Sequence, residues 1–219
     1  MRRWLALVAW VIGGSLAVAG SPPPASEHGE VVAGLQAWLD GTITLEARFR
    51  QSLISGALGT GASESGRLAL ERPGRLRWDY LDPERKTALL LGDRTFLYLE
   101  GDRQYIRGRL QAEQALFPRL LAGSERIGSL FSSTLVATPR AGGNGSYRLR
   151  LVPRGTPGGV ASVTLDLRPR SFAIERAEII DELGNRTTYA LSDVKRNAEL
   201  PVGCFAFEPP PGTEVIDQP

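Results

Sequence analysis

The fold is best recognised from residues 65–80, which read SGRLALERPGRLRWDY. Apolar and polar residues alternate on both sides of Pro73-Gly74, which is typical of two strands joined by a turn, each with one dry face and one wet face. The alternation places Arg72 on the same face as Leu68 and Leu70. We expect its guanidinium to lie at the rim of the sheet and to donate several hydrogen bonds to backbone carbonyls of a covering element. The alternative is an arginine that twists out to solvent where the strand ends.

The same alternation continues outward from this hairpin. It returns downstream in residues 147–151 and 163–167, and upstream it places four residues on one dry face: Ile43, Leu45, Ala47 and Phe49. Residues 88–91 and 96–99 are apolar on both faces, and Gly92-Asp93 between them is a turn signal. We therefore expect a meandering antiparallel sheet in which this second hairpin is covered on both faces.

Two other segments have helical spacing. After Ser26, a plausible N-cap, apolar residues recur at steps of one, three and four up to a stop at Gly41: Val31, Val32, Leu35, Trp38 and Leu39. Between residues 110 and 131 the helical pattern is broken by Pro118 and Gly123, which predicts two short helices or a mobile lid. The expected fold is mainly β with α: one domain in which a strongly curved sheet faces an amphipathic helix and surrounds a cavity or a core.

The N-terminus has the pattern of a processing signal. Met1-Arg2-Arg3 is followed by an apolar run that ends in Ala17-Val18-Ala19, so residues 1–19 are predicted to be a cleaved signal peptide. Residues 20–26 would be a Pro-rich spacer and residues 27–219 a single domain. An uncleaved membrane anchor is the alternative. The chain should be exported and soluble, and no Cys near the cleavage point is available for lipidation.

Charge and composition exclude several classes of partner and site. The net charge of +2 falls to zero when Arg2 and Arg3 leave with the signal, so we expect no nucleic-acid or anionic-membrane binding. One Cys and one His cannot build a Cys/His metal site or an intrachain disulfide. The sequence lacks a phosphate loop, a complete dinucleotide fingerprint, a GxSxG elbow and an HExxH motif. We expect a binding protein without metal or cofactor rather than an enzyme.

One enzymatic alternative remains open. A secreted hydrolase could use a pair of carboxylates, and the sequence offers several candidates that it cannot place together. These candidates are Asp102, Glu113, Asp166, Asp181 and Glu182. The single cysteine, Cys204, precedes Phe205 in a strand-like run and is predicted to be a buried small hydrophobe.

The order of several short motifs resembles the periplasmic outer-membrane lipoprotein carrier family, LolA. Each motif is weak alone, but their spacing together is specific along most of the chain. The matching pieces are Phe49-Arg50-Gln51, Gly66-Arg67-Leu68, Arg72-Pro73 with Trp78, Gly92-Asp93 with Phe96 and Tyr98, Ile180-Asp181 with Gly184-Asn185, and Phe205 to Gly212.

This resemblance implies an unclosed antiparallel β-barrel of about eleven strands, with helices covering an apolar cavity that shields the acyl chains of lipoproteins. It implies a monomeric periplasmic carrier that takes its cargo from an inner-membrane ABC transporter and passes it to an outer-membrane receptor lipoprotein. It also implies that Arg72 bonds to backbone on the lid side and closes the empty cavity. The lack of an N-terminal Cys favours the carrier over the receptor.

The candidates for the cavity lining come from the first helix, the sheet and the lid. They are Leu35 and Trp38; Leu68, Leu70, Leu76, Trp78, Phe96 and Tyr98; and Leu116, Phe117, Leu120 and Leu121. Ordinary core packing is the alternative for each residue singly. Two other binding functions stay open on the same fold, namely a carrier of other lipids or glycolipids and a sensor domain for mislocalised lipoproteins.

Overall fold

A single twelve-stranded sheet organises the chain. The computed structural model describes residues 26–110, 116–123, 125–139, 145–154 and 159–218, with the side chains of 116–118 left out. The predicted signal peptide and nearly all of the spacer lie outside the described residues and remain predictions. The strands are β1 Thr44–Ile54, β2 Gly61–Glu71, β3 Arg75–Asp82, β4 Lys86–Leu91, β5 Arg94–Leu99, β6 Gln104–Arg109, β7 Phe131–Ala137, β8 Tyr147–Pro153, β9 Val160–Leu167, β10 Ile174–Asp181, β11 Arg186–Arg196 and β12 Glu214–Asp217.

The sheet is open, and it is built from two meanders that meet at its centre. Its strand order is β12-β6-β5-β4-β3-β2-β1-β11-β10-β9-β8-β7, and β7 and β12 form its two edges among the described residues. The predicted unclosed sheet with covering helices is confirmed. The strand count differs from the expected eleven, because β12 adds a short strand that pairs with β6 in the parallel direction. Only four residues form β12, too few to show an alternation in the sequence.

Three helices in the described ranges cover one face of the sheet. They are α1 Glu27–Asp40, α2 Leu116–Ala122 and α3 Ile127–Leu130. The Ser26 side chain accepts a hydrogen bond from the Gly29 N–H, and Gly41 ends α1, as predicted. The two short helices confirm the helical spacing found between residues 110 and 131. Helix α1 buries Val31, Leu35, Trp38 and Leu39 against the sheet.

The covered face, here called the inner face, carries the core. Direct cross-strand partners share a face, so the row Leu45, Leu70, Leu76 and Leu90 runs across β1 to β4 on this side. All four are buried. The second meander adds residues such as Leu149, Val163 and Leu165, which are fully buried. One expected member is missing: Ile43 precedes β1 and is 65% exposed, because its backbone bonds to Arg72 and Asn197 outside the sheet ladder.

The segment between β11 and β12, residues 197–213, covers the outer face of β4 to β6 and is here called the C-terminal segment. Register places Phe96 opposite Leu89 and Tyr98 opposite Thr87, on the side away from Leu68 and Trp78. The prediction that Phe96 and Tyr98 line the inner cavity is therefore wrong. Instead, the Phe207 ring packs on Tyr98 and Tyr105, with ring centroids 5.2 and 5.7 Å apart.

Hydrogen bonds hold this segment in place. Arg77 Nη1 donates to the Cys204 carbonyl at 2.8 Å, and Arg103 Nη2 donates to the Pro211 carbonyl at 2.8 Å. Cys204 itself is half-buried, and burial raises the pKa of its thiol. The hairpin β4–β5 is buried or half-buried on both faces from residue 86 to 91 and from 95 to 99, and the C-terminal segment packs on its outer face.

We predict that Phe207→Ala lowers the free energy of unfolding by about 1–3 kcal/mol, since it removes a half-buried ring from two aromatic contacts. Urea unfolding followed by circular dichroism measures the change. Val202→Ala, in the same segment at a fully exposed position, is the control and should leave the unfolding midpoint unchanged. Equal midpoints for Phe207→Ala and wild type would contradict the packing role of Phe207.

Candidate functional site

An apolar pocket lies between α1, α2 and the inner face of the sheet. Its cavity volume is about 30 Å³, more than the roughly 10–15 Å³ that a single water molecule requires. The pocket is therefore small. Its lining is Trp38, Leu39, Thr42, Leu45, Leu68, Leu70, Trp78, Leu121, Ile174, Ala177, Tyr189 and Leu191.

The structure places ten of the twelve sequence candidates in three groups. Five of them line the pocket: Trp38, Leu68, Leu70, Trp78 and Leu121. Three are buried in the adjoining core and do not reach the pocket surface: Leu35, Leu76 and Leu120. Two face the opposite side of the sheet, namely Phe96 and Tyr98. Leu116 and Phe117 begin α2, but their side chains lie outside the described residues.

Sequence reasoning missed the wall that comes from the second meander. Ile174 and Ala177 of β10 and Tyr189 and Leu191 of β11 reach the pocket because β11 pairs with β1. The pairing of Phe49 with Leu191 sets this register. The alternation of Tyr189 and Leu191 indicates a strand with one apolar face, but no pattern in the sequence indicates that this strand pairs with β1.

A half-exposed apolar strip extends the pocket toward the edge of the sheet. Trp78, Ala88, Leu97 and Ile106 are successive cross-strand partners on the inner face of β3 to β6. Each of the four is half-buried rather than buried. The inner face thus offers more apolar surface than the closed pocket encloses.

Arg72 forms hydrogen bonds with the ends of the two helices that cover the pocket. Its guanidinium donates one hydrogen bond to the Leu39 carbonyl near the end of α1 and one to the Gly123 carbonyl just after α2. Burial lowers the pKa of this guanidinium, and the nearby Asp40 carboxylate opposes the shift. This is the rim position, with backbone acceptors on a covering element, that the alternation predicts.

The turn after Arg72 adds a second hydrogen bond to the end of α2. The Gly74 N–H donates to the Ala122 carbonyl at 2.9 Å. Carbonyls at the C-terminal end of a helix have no partner within the helix, and the helix dipole makes that end attractive to a cation. Helix α1 has no basic residue of its own in its last turn. Arg72 therefore supplies from a strand end the positive charge that α1 lacks and donors to both helix ends, whereas α2 has Arg119 in its own last turn.

The described carboxylates considered for a hydrolase are spread over several strands and turns, and only Asp181 and Glu182 are adjacent in the chain. Asp166 forms an ion pair with Arg148 on the outer face, with 2.7 Å between Oδ1 and Nε, whereas Asp181 accepts from the Leu183 and Asn185 N–H groups in the turn between β10 and β11. Asp102 and Glu182 are also in turns, and Glu113 is outside the described residues. Across the described ranges, no group of three or more His, Cys, Asp or Glu side chains could hold a metal ion. Nor is any helix in the described part of the chain long and apolar enough to cross a membrane.

Comparison with known proteins agrees with this architecture. The family model described as "Outer membrane lipoprotein carrier protein LolA" matches residues 40–208. The outer-membrane lipoprotein carrier protein of Pseudomonas aeruginosa (strain UCBPP-PA14) is 31% identical over 218 residues, covering 99% of this chain and 98% of that protein. The protein of the same name from Dechloromonas aromatica (strain RCB) is 30% identical, covering 89% of this chain and 91% of that protein.

One solved structure supports the fold alone. An uncharacterized conserved protein from Thermus thermophilus superposes with a TM-score of 0.53 at 15% identity, covering 86% of this chain and 98% of that one. The family match spans β1 to β11 with helices α2 and α3, and it begins at the last residue of α1. The chain belongs to the LolA family of outer-membrane lipoprotein carrier proteins.

Proposed function

We propose that this chain is a periplasmic carrier that shields the acyl chains of lipoproteins between two membranes. It would receive its cargo from an inner-membrane ABC transporter and deliver it to an outer-membrane receptor lipoprotein, without catalysis. The observation that carries the proposal is the apolar pocket under two helices that Arg72 fastens to the sheet. The names of the curated relatives support the cargo, and the predicted signal peptide supports the compartment.

The pocket and the strip suit this task in physical terms. An acyl chain leaves a bilayer only if its apolar surface, worth about 25 cal/mol per Å², finds an equivalent surface elsewhere. The pocket is small, with a cavity volume of about 30 Å³. In this proposal the described state is the closed one, and loading moves α2 away from the inner face and so joins the pocket to the half-exposed strip.

The bonds at the lid determine how readily the carrier closes again. Hydrogen bonds that involve a charged group contribute about 1.5–3 kcal/mol each, and neutral ones about 0.5–1.5 kcal/mol. The two bonds from Arg72 and the one from Gly74 together favour the closed state by a few kcal/mol. Cargo must overcome this preference on entry, and the same preference favours release, because a ligand shifts the equilibrium only by its difference in affinity for the two states.

A first experiment identifies the cargo. Native mass spectrometry of the exported protein should show a bound triacylated lipoprotein when lipoprotein release at the inner membrane is intact. Phospholipid or glycolipid as the sole bound species would support the alternative carrier on the same fold. If the protein never carries an acylated molecule, even after incubation with a triacylated lipopeptide, both the lipoprotein carrier and the alternative lipid carrier are contradicted.

We predict that Arg72→Leu folds and loads but gives up its cargo about tenfold more slowly, since the closed state loses its charged hydrogen bonds. Transfer of a fluorescent triacylated lipopeptide from loaded protein to lipid vesicles measures the rate. Arg75→Leu is the matched control, because Arg75 is exposed at the start of β3 and its side chain pairs with Glu71 rather than with a helix. Equal transfer rates for Arg72→Leu and wild type would refute the proposed role.

A pair of aromatic substitutions separates the two faces of the sheet. Trp78→Ala should weaken binding of the lipopeptide at least about tenfold, since Trp78 lies in both the pocket and the strip. Tyr98→Ala should lower stability but leave the affinity unchanged, because Tyr98 packs on Phe207 at the outer face. Displacement of a fluorescent fatty-acid probe measures the affinities. Similar losses of affinity in the two variants would contradict the assignment of faces.

A further inference from the structure

A group of polar side chains interrupts the apolar inner face beside the pocket. We call Gln51, Glu64, Tyr80, Lys86 and Tyr189 the polar cluster. Register puts all five on the inner face: Gln51 pairs with both Glu64 and Tyr189, and Lys86 pairs with Tyr80. Tyr80 follows Trp78 by two residues along β3, so the cluster directly continues the lining of the pocket.

The members of the polar cluster contact one another. The Lys86 Nζ lies 2.5 Å from the Glu64 Oε1 and 4.3 Å from the centroid of the Tyr80 ring. The Tyr80 hydroxyl donates to the Gln51 Oε1 at 2.8 Å, and the Tyr189 hydroxyl lies against that of Tyr80. Burial raises the pKa of Tyr189 to about 12 and raises that of Tyr80 as well, so both phenols are neutral and keep their protons.

The ion pair between Lys86 and Glu64 on the inner face is not explained by a gain in stability. The Lys86 and Glu64 side chains are only 24% and 20% exposed, and removing two charges from water commonly costs as much as their attraction returns. The choice of lysine is itself unusual, since 24 of the 26 cationic residues are Arg and the only other lysine, Lys195, is exposed on β11. An ammonium carries three N–H donors on a compact head, unlike the planar fork of Arg.

The polar cluster has hydrogen-bond donors to spare. One Lys86 N–H donates to Glu64 and the ammonium also faces the Tyr80 ring, which leaves one N–H for a ligand, and the Gln51 amide places further N–H groups beside it. The Tyr189 ring lines the pocket while its hydroxyl meets Tyr80. The apolar lining therefore leads without a break to a group of N–H donors.

We propose that the polar cluster binds the carbonyl oxygens at the head of the acyl chains. An acyl chain ends in an ester or amide carbonyl, which accepts hydrogen bonds and loses its water when the chain enters an apolar pocket. Lys86 and Gln51 replace that water, so the cluster fixes how deep the chains lie. This inference rests on the proposed function, because it assigns the head of the same cargo.

The test compares two ligands that differ only in the carbonyls. One is a triacylated lipopeptide with two glyceryl palmitate esters; the other carries the same chains as hexadecyl ethers. Wild type should bind the ester about tenfold more tightly, as expected for hydrogen bonds to a charged donor. Lys86→Met should lose most of this preference and keep its affinity for the ether. Isothermal titration calorimetry measures both affinities, and thermal unfolding checks that each variant is folded.

Lys195→Met is the matched control and should retain the full ester preference. The double variant Glu64→Gln/Lys86→Met removes both charges together, so it gives the same reading without leaving an unpaired carboxylate, should Lys86→Met fail to fold. An unchanged ester-to-ether ratio in these variants, or no preference in wild type, would overturn this inference alone. Failure of wild type to bind either ligand would overturn the proposed function with it.

Discussion

The hydrogen bonds of one guanidinium hold the covered side of the sheet together. Arg72 follows β2 and donates to the Leu39 carbonyl in the last turn of α1, which also accepts from the Thr42 N–H, and to the Gly123 carbonyl just after α2. A cation suits both helix ends, and burial is tolerated because the charge is shared among several donors and acceptors. Without this junction, nothing else among the described hydrogen bonds ties the end of α1 to the end of α2. Polar contacts from Arg72 and Gly74 at the rim of the pocket thus add to the apolar contacts of the helices with the sheet.

Sequence reasoning succeeded where one face of a strand is dry and the other wet. The alternation in β1 to β3 gave the faces of Leu45, Leu68 and Trp78 and the position of Arg72. It failed at Phe96 and Tyr98, since a run that is apolar on both faces carries no information about which face meets the helices. The outer face of these strands is the one that the C-terminal segment covers, and its Phe207, which packs on Tyr98, is far from β5 in the sequence. The pocket wall from β10 and β11 was missed for a related reason: strand pairing across the centre of a sheet is a long-range choice that local pattern does not encode.

Apolar and polar contacts have different tasks in such a carrier. Apolar area gives affinity that grows with chain length but is indifferent to position, because the hydrophobic effect has no direction. Hydrogen bonds are directional, so the polar cluster at the end of the lining gives a bound chain a preferred depth. The closed pocket, the half-exposed strip and the polar cluster lie on one face and share Trp78 or its near neighbours. A change at that tryptophan therefore affects capacity and position together.

The strand order also constrains how the molecule can be assembled. Strands β1 to β6 and β7 to β11 each pair with their neighbours in sequence, so either meander can form from local contacts. Among the described strands, the two meanders pair with each other only through β1 and β11, which requires closure of a loop that contains most of the chain, a step that is slow for topological reasons. Until then β1 is a bare edge of eleven residues with an uncovered apolar face. Before β11 has been synthesised, β1 is therefore an unpaired edge strand that could pair with another chain, although it lies at the centre of the sheet in the folded protein.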